Sequence, residues 1–221
     1  MSILLVGHSK GGVGKSTIAT NLAVALATRR RDVLLVDGDR QATATHWAQE
    51  RAEAAGHPKL PHVQVSGDVR PTLTDLARRY DDLVLDVSGR DSTELRTAMM
   101  LADVMLVPTR PSQADLWELD DLAKLVEHVL VVNEKLAPWA VINMAPHNTR
   151  EGEEAREMFE EYPTFKLAAT VLHDRKVYRE AMLGGAGVIE LQNEKATAEV
   201  TGLAFELFGR GGATRGVQKE A

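Results

Sequence analysis

The stretch LLVGHSKGGVGKSTIATNLA, Leu4 to Ala23, constrains the fold more than any other. An apolar run leads into Gly11, Gly12 and Gly14. Lys15-Ser16-Thr17 follows, then alanine and leucine at helical spacing. Consecutive apolar residues describe a strand buried on both faces, hence a parallel sheet covered by helices. Glycines between strand and helix let the backbone adopt φ > 0 and approach a ligand closely. A helix starting there offers unpaired N–H groups and the positive end of its dipole to an anion. The order Gly-Lys-Ser then assigns roles. Gly11, Gly12, Val13 and Gly14 cradle phosphates, and Lys15 reaches the β- and γ-phosphates. Ser16 ligates Mg²⁺, and Thr17 bonds an α-phosphate oxygen.

Beyond the loop the same grammar repeats. Strands are expected at Asp32–Asp37, His62–Val65, Leu83–Asp86, Asp103–Val107, Ala140–Met144 and Ala168–Leu172. Helices are expected over Lys15–Arg30, Ala42–Ala55, Pro71–Arg79, Gln113–Val131, Glu151–Glu161, Asp174–Leu183 and Asn193–Phe208. Alternation of this kind predicts an α/β fold with a doubly wound, mostly parallel sheet and helices on both faces. There is no repeat and no compositional break. One domain over residues 1–209 is therefore expected, with 210–221 a flexible polar tail. Ligands in such sheets bind outside the carboxyl ends of the strands. The loop, Asp37, Asp39, Asp86 and Asn143 all fall there.

Charge and composition narrow the partners. The formal net charge of −6 argues against nucleic-acid binding by bulk charge and leaves only a local basic patch. No cysteine is present, so there is neither a disulfide framework nor a thiolate metal site. The apolar start, Met1–Gly7, lacks a charged leader and reads as a strand, not a signal peptide. No run approaches the ~20 apolar residues that span a bilayer. A cytoplasmic protein is expected.

One lysine remains unexplained by a simple phosphate loop. KGGVGKST, with Lys10 at its head, resembles the deviant Walker A motif of the ParA/MinD family of dimerising P-loop ATPases. The resemblance runs from Ile3 to about Phe208. It implies that Lys10 reaches across a homodimer to the partner's ATP. DGDRQ, Asp37 to Gln41, resembles the family's first switch. There Asp39 positions the attacking water near Mg²⁺, and Asp37 supports either the metal shell or the loop. Asp86 matches the Walker B aspartate behind Mg²⁺, and the Gly89 N–H is then placed to meet the γ-phosphate. Arg90 stands either as a nucleotide sensor or as a surface charge. Asn143 either contacts adenine or simply ends a strand. Asp115 belongs either to the dimer interface or to a helix start.

The short start on the phosphate-loop strand makes the chain most like the ParF-like plasmid-partition members. A membrane-binding C-terminal helix, as in MinD relatives, is not expected. TVLHDRKVYREAM, Thr170 to Met182, resembles the segment that contacts DNA in ParA proteins. This implies Arg175, Lys176 and Arg179 as contacts to non-specific DNA, unless they form a solvated helix start paired with Asp174 and Glu180. The resemblance thus implies a weak Mg²⁺-dependent ATPase whose ATP-bound dimer sits on the nucleoid. A ParB-like or other cargo adaptor protein stimulates it, and it positions a plasmid or, alternatively, a protein assembly. A MinD-like membrane cycle and a small-substrate P-loop ligase are the competing readings. The histidines show no metal spacing, and His8 reads as a packing accident beside the loop.

Overall fold

A computed structural model describes residues 1–88, 92–147 and 151–209. Seven strands form one sheet: β1 Ser2–Val6, β2 Val33–Gly38, β3 His62–Gln64, β4 Asp82–Val87, β5 Val104–Thr109, β6 Ala137–Ile142 and β7 Lys166–Leu167. The order is β3-β2-β4-β1-β5-β6-β7, and every pairing is parallel. The helices are α1 Lys15–Ala27, α2 Thr43–Glu53, α3 Arg70–Leu76, α4 Thr93–Met99, α5 Gln113–Trp117, α6 Leu119–Leu130, α7 Glu151–Met158, α8 Lys176–Leu183 and α9 Glu194–Phe208.

Strand residues alternate between two cores. Leu4 and Val6 of β1, Leu35 of β2 and Val84 of β4 pack with α1, α2 and α9, through Leu22, Trp47 and Leu203. Ile3 and Leu5, Leu34 and Val36, and Leu83 and Leu85 face the other way. They meet Leu73 of α3, Leu95 of α4 and Leu122 of α6. This period-two division explains why β1, β2, β4 and β5 read as continuous apolar runs: nearly every side chain is buried, on one face or the other.

Four local expectations are corrected. Helix α4 has no counterpart among the elements expected from sequence, although Ser92 caps it by accepting the Leu95 N–H at 3.1 Å. The single helix over Gln113–Val131 is two, interrupted at Glu118. Pro108 does not close β5 but lies within it, opposite Val141 of β6. The β1 register ends at Leu106, so the missing N–H at Pro108 costs no bond on that side. The last strand is Lys166–Leu167, not Ala168–Leu172. Beyond it the chain still follows β6, through Ala168 N–H to Ala140 O and Leu172 N–H to Ile142 O.

Chain order reverses direction around β1, which lies between β4 and β5. The carboxyl ends of β1, β2, β4, β5 and β6 therefore open on one crevice, the place where such sheets bind ligands.

Candidate nucleotide site

The glycine loop joins β1 to α1, with Gly12 at φ 74° and Gly14 at φ 89°. A side chain at Gly14 would also place its Cβ 2.4 Å from Asn143 Nδ2. Three loop carbonyls are held by side chains. Lys15 Nζ donates to Lys10 O at 2.7 Å, the Arg110 guanidinium donates to Gly12 O, and Asn143 Nδ2 donates to Val13 O at 2.7 Å. The N–H groups of Gly11 to Gly14 donate to no described residue. No side chain caps α1. The carbonyls are spent and the donors are free, which is the chemistry of an anion cradle. Lys15 is almost fully buried, and burial lowers its pKa, against the pull of Asp86 and Asp39.

Across the crevice, Asp37 is fully buried and braces the first switch. Its two carboxylate oxygens accept the Asp39 N–H at 3.0 Å and the Thr45 N–H at 2.7 Å. Of the two roles open to it, the loop role is the one its hydrogen bonds serve. Asp39 is only partly buried; its carboxylate accepts the Gln41 N–H at 2.9 Å and lines the same cleft as Lys15 and Ser16. That cleft encloses about 1270 Å³. A second cavity of about 370 Å³ adjoins it, shares Thr17 and Met144 with it, and adds Ile18, Asn143, Tyr178 and Met182.

Asp86 is wholly buried, and its pKa is pushed up to about 7. Burial is the main cause, with Asp37 and Asp39 adding to it and the Ser16 hydroxyl and Lys15 ammonium opposing. Neither carboxylate oxygen has a hydrogen-bond partner of normal geometry among the described residues. A buried carboxylate left orphaned beside a hydroxyl and a lysine asks for a cation. One carboxylate and one hydroxyl, with room for water and phosphate, suit Mg²⁺. Ser16 and Asp86 would hold it, and the residues present fit both ATP and Mg²⁺.

Lys10 stands apart from Lys15. Its ammonium pairs within its own chain with Asp115 and with Glu118, the latter at 3.0 Å, and these bonds, Asp115 first, raise its pKa. Asp115 in turn bonds Ser112 Oγ at 2.8 Å at the start of α5. Gly89 and Arg90 lie outside the described residues, as does the segment 210–221.

The three basic residues near α8 are not alike. Arg175 is drawn into the fold, donating to Glu199 at 3.0 and 2.6 Å beside His173 and Tyr178, which bond the same carboxylate. Lys176 and Arg179 are exposed, paired with Glu180 and Asp174 at 2.6 Å each. Sequence reasoning misses three working residues here. Arg110 lies one residue beyond β5 at the carboxyl edge, a position that could have flagged it. Glu94, which accepts the Gly67 N–H at 2.7 Å, depends on seeing α4. His8 is no packing accident, since its Nδ1 accepts the Lys10 N–H at 2.9 Å.

A parallel sheet with this loop, and with carboxylates at the neighbouring strand ends, defines a P-loop ATPase. The family model of the CobQ/CobB/MinD/ParA nucleotide binding domain matches residues 4–186, and the chain belongs to that family. Among its relatives are two proteins named maintenance of carboxysome distribution protein A. That of Gloeobacter kilaueensis is 29% identical over 200 residues, covering 88% of this chain and 87% of the relative. That of Halothiobacillus neapolitanus is 29% identical over 208 residues, covering 93% and 95%. Among solved structures, an ATP complex of a Cyanothece McdA variant superposes with a TM-score of 0.79 at 16% identity, over 97% of this chain and 99% of that one.

Proposed function

We propose that the protein is a ParA-type positioning ATPase. ATP binding drives a homodimer that holds non-specific DNA, and an adaptor protein on the cargo stimulates hydrolysis and resets the cycle. The observation that carries this reading is the division of labour between two loop lysines. Lys15 is buried at the head of α1, whereas Lys10 reaches away from the loop to Asp115 and Glu118. A second lysine aimed outward has a use when another subunit brings phosphates to it. In the dimer Lys10 leaves its two carboxylates for the partner's nucleotide.

Within one subunit the loop N–H groups and Lys15 bind and orient the phosphates, and the shared boundary at Thr17 and Met144 leads the base into the smaller cavity. Asn143 lines that cavity while one of its two amide N–H donors braces Val13 O, so its second N–H and its Oδ1 are what it offers adenine. Bound Mg²⁺ neutralises charge on the phosphates. Asp39 orients the attacking water, and positioning of this kind supplies much of the catalysis in phosphoryl transfer.

The cargo we favour is a large protein assembly, because two relatives aligned over most of their length are named for carboxysome distribution. Plasmid cargo is the second reading, since the matching family model also takes in ParA. No described helix is long and apolar enough to cross a membrane. Light scattering with and without ATP tests the core of the proposal. The protein is expected to dimerise with ATP and Mg²⁺, and Lys10→Ala to bind ATP yet stay monomeric. A Lys10→Ala variant that dimerises normally would sink it. Co-sedimentation with anionic vesicles but not with DNA would favour a membrane cycle instead.

A further inference from the structure

His8 is the residue the proposed cycle does not yet use. It lies two residues beyond β1, and its ring is completely buried. Nδ1 accepts the Lys10 N–H at 2.9 Å and lies 3.4 Å from Ser9 Oγ. Nε2 has no partner among the described residues. The other end of the same peptide segment is also fixed, because the Lys10 carbonyl accepts Lys15 Nζ at 2.7 Å. Lys10 is thus gripped at its N–H by His8, at its carbonyl by Lys15, and at its ammonium by Asp115 and Glu118.

The His8 bond has the pattern of an Asx turn: a side chain at position i accepts the N–H at i+2 and sets the turn. Asparagine and aspartate usually do this. A histidine does so only as the neutral ring with its proton on Nε2, since a protonated Nδ1 would meet Lys10 donor against donor. A buried ring whose other nitrogen goes unpartnered is kept for the bond it does make. We infer that His8 is a positioning residue for the ATPase, which as a neutral Nε2–H imidazole fixes the Lys10 peptide and so places both loop lysines. The ring is held neutral by its surroundings. Burial first, then the Lys15 charge, with Lys10 adding and Glu118 and Asp115 opposing, bring its pKa down to about 4. The acceptor therefore persists at physiological pH.

The role assigned to Lys10 rests on the proposed dimer; the turn itself does not, and the test keeps the two apart. Three variants of the whole chain are compared: His8→Leu keeps the bulk without an acceptor, His8→Asn restores an acceptor at the Nδ1 position, and His8→Gln sets one a bond farther away. The first measurement is hydrogen exchange of the Lys10 amide in the nucleotide-free protein. The second is ATP-dependent dimerisation, with ATP affinity measured separately. His8→Leu is expected to speed Lys10 exchange and weaken the ATP-bound dimer by about tenfold each, the effect of losing one hydrogen bond. ATP affinity should fall too, but by a smaller factor, because Lys15 keeps its bond to the Lys10 carbonyl and the loop N–H groups still meet the phosphates. His8→Asn should recover both properties, and His8→Gln should resemble His8→Leu. Wild-type Lys10 exchange in a folded His8→Leu protein would overturn the inference, as would His8→Asn failing as badly as His8→Leu. Should His8→Leu not fold, His8→Asn against His8→Gln decides, and equal Lys10 exchange in these two overturns it. Should the wild type form no ATP-dependent dimer, the proposed function falls, and the exchange measurement alone still decides the role of His8.

Discussion

At Asp86 a carboxylate is buried with no hydrogen-bond partner of normal geometry among the described residues, and its pKa is raised from 3.8 to about 7. Between those values the folded protein holds a proton that the unfolded chain has released. Its contribution to stability therefore falls as pH rises from about 4 to about 7 and is level above that. Asp86→Asn removes the buried charge. The nucleotide-free variant is expected to melt above the wild type at pH 8, by an amount worth a few kcal/mol, and near it at pH 4. It should also lose the melting-temperature gain that ATP with Mg²⁺ gives the wild type. Equal melting shifts at both pH values would contradict the assignment. Asn143→Ala acts differently, leaving Val13 O without its partner. A cost of about 1–3 kcal/mol in denaturant unfolding is expected for that orphaned group, with no such pH dependence. The meeting of Lys15, Ser16 and Asp86 is legible from sequence, because a parallel sheet of this kind brings its strand carboxyl ends to one crevice. The part played by His8 is not, because it acts on a loop backbone atom that no periodicity announces, and that of Arg110 shows only in its place just beyond β5.

Among the elements, the junction of α2 with the turn after α8 is the most tightly specified. Arg51 of α2 donates to Gly185 O at 3.0 Å and forks onto Glu190 at 2.8 and 2.7 Å, under Trp47. Gly185 sits at φ 63°, and a Cβ there would fall 2.2 Å from Arg51 N. Backbone cannot yield as a flexible side chain does. Gly185→Ala is therefore expected to cost at least about 1–3 kcal/mol from conformation alone, a drop of several degrees or more in melting temperature. An unchanged midpoint would show that the turn relaxes freely. This junction is invisible in the sequence, since it joins residues more than 130 positions apart. The elements that are legible are those with strong local patterns: the buried strands, and α1, α2, α3, α7, α8 and α9. Helix α4 escapes notice because it has only seven residues and, unlike the equally short α3, no proline at its first turn. The break at Glu118 is hidden because apolar spacing continues across it. The last strand is displaced because its ladder closes only where β6 offers partners, at Trp139 and Ala140.

For the molecule as a whole, the question is how a chain of net charge −6 would hold DNA. Long-range attraction is unavailable, so such binding would come from a local surface, duplicated in the proposed dimer. The structure sorts the three basic residues near α8 by what each could give. Arg175 is committed to Glu199 at the wall of the smaller cavity, and freeing it would strip that half-buried carboxylate of its guanidinium partner, leaving only His173 and Tyr178. Lys176 and Arg179 are exposed and engage only exposed or half-exposed acids, pairs that contribute little and exchange readily. These two can turn to phosphates without disturbing the fold. Lys176→Ala combined with Arg179→Ala is therefore expected to weaken ATP-dependent DNA binding similarly on every sequence. The slope of log K against log salt should shrink by roughly 0.9 for each phosphate no longer neutralised, summed over both subunits. Lys176→Ala alone should leave ATP turnover without DNA unchanged, whereas Arg179 also lines the smaller cavity and its effect on turnover is measured separately. Arg175→Ala is expected to lower the melting temperature and ATP affinity before it alters that slope. The decisive comparison is thus between slopes. A double variant with the wild-type slope would remove α8 from the DNA surface, and a reduced slope in a folded Arg175→Ala protein would return Arg175 to it.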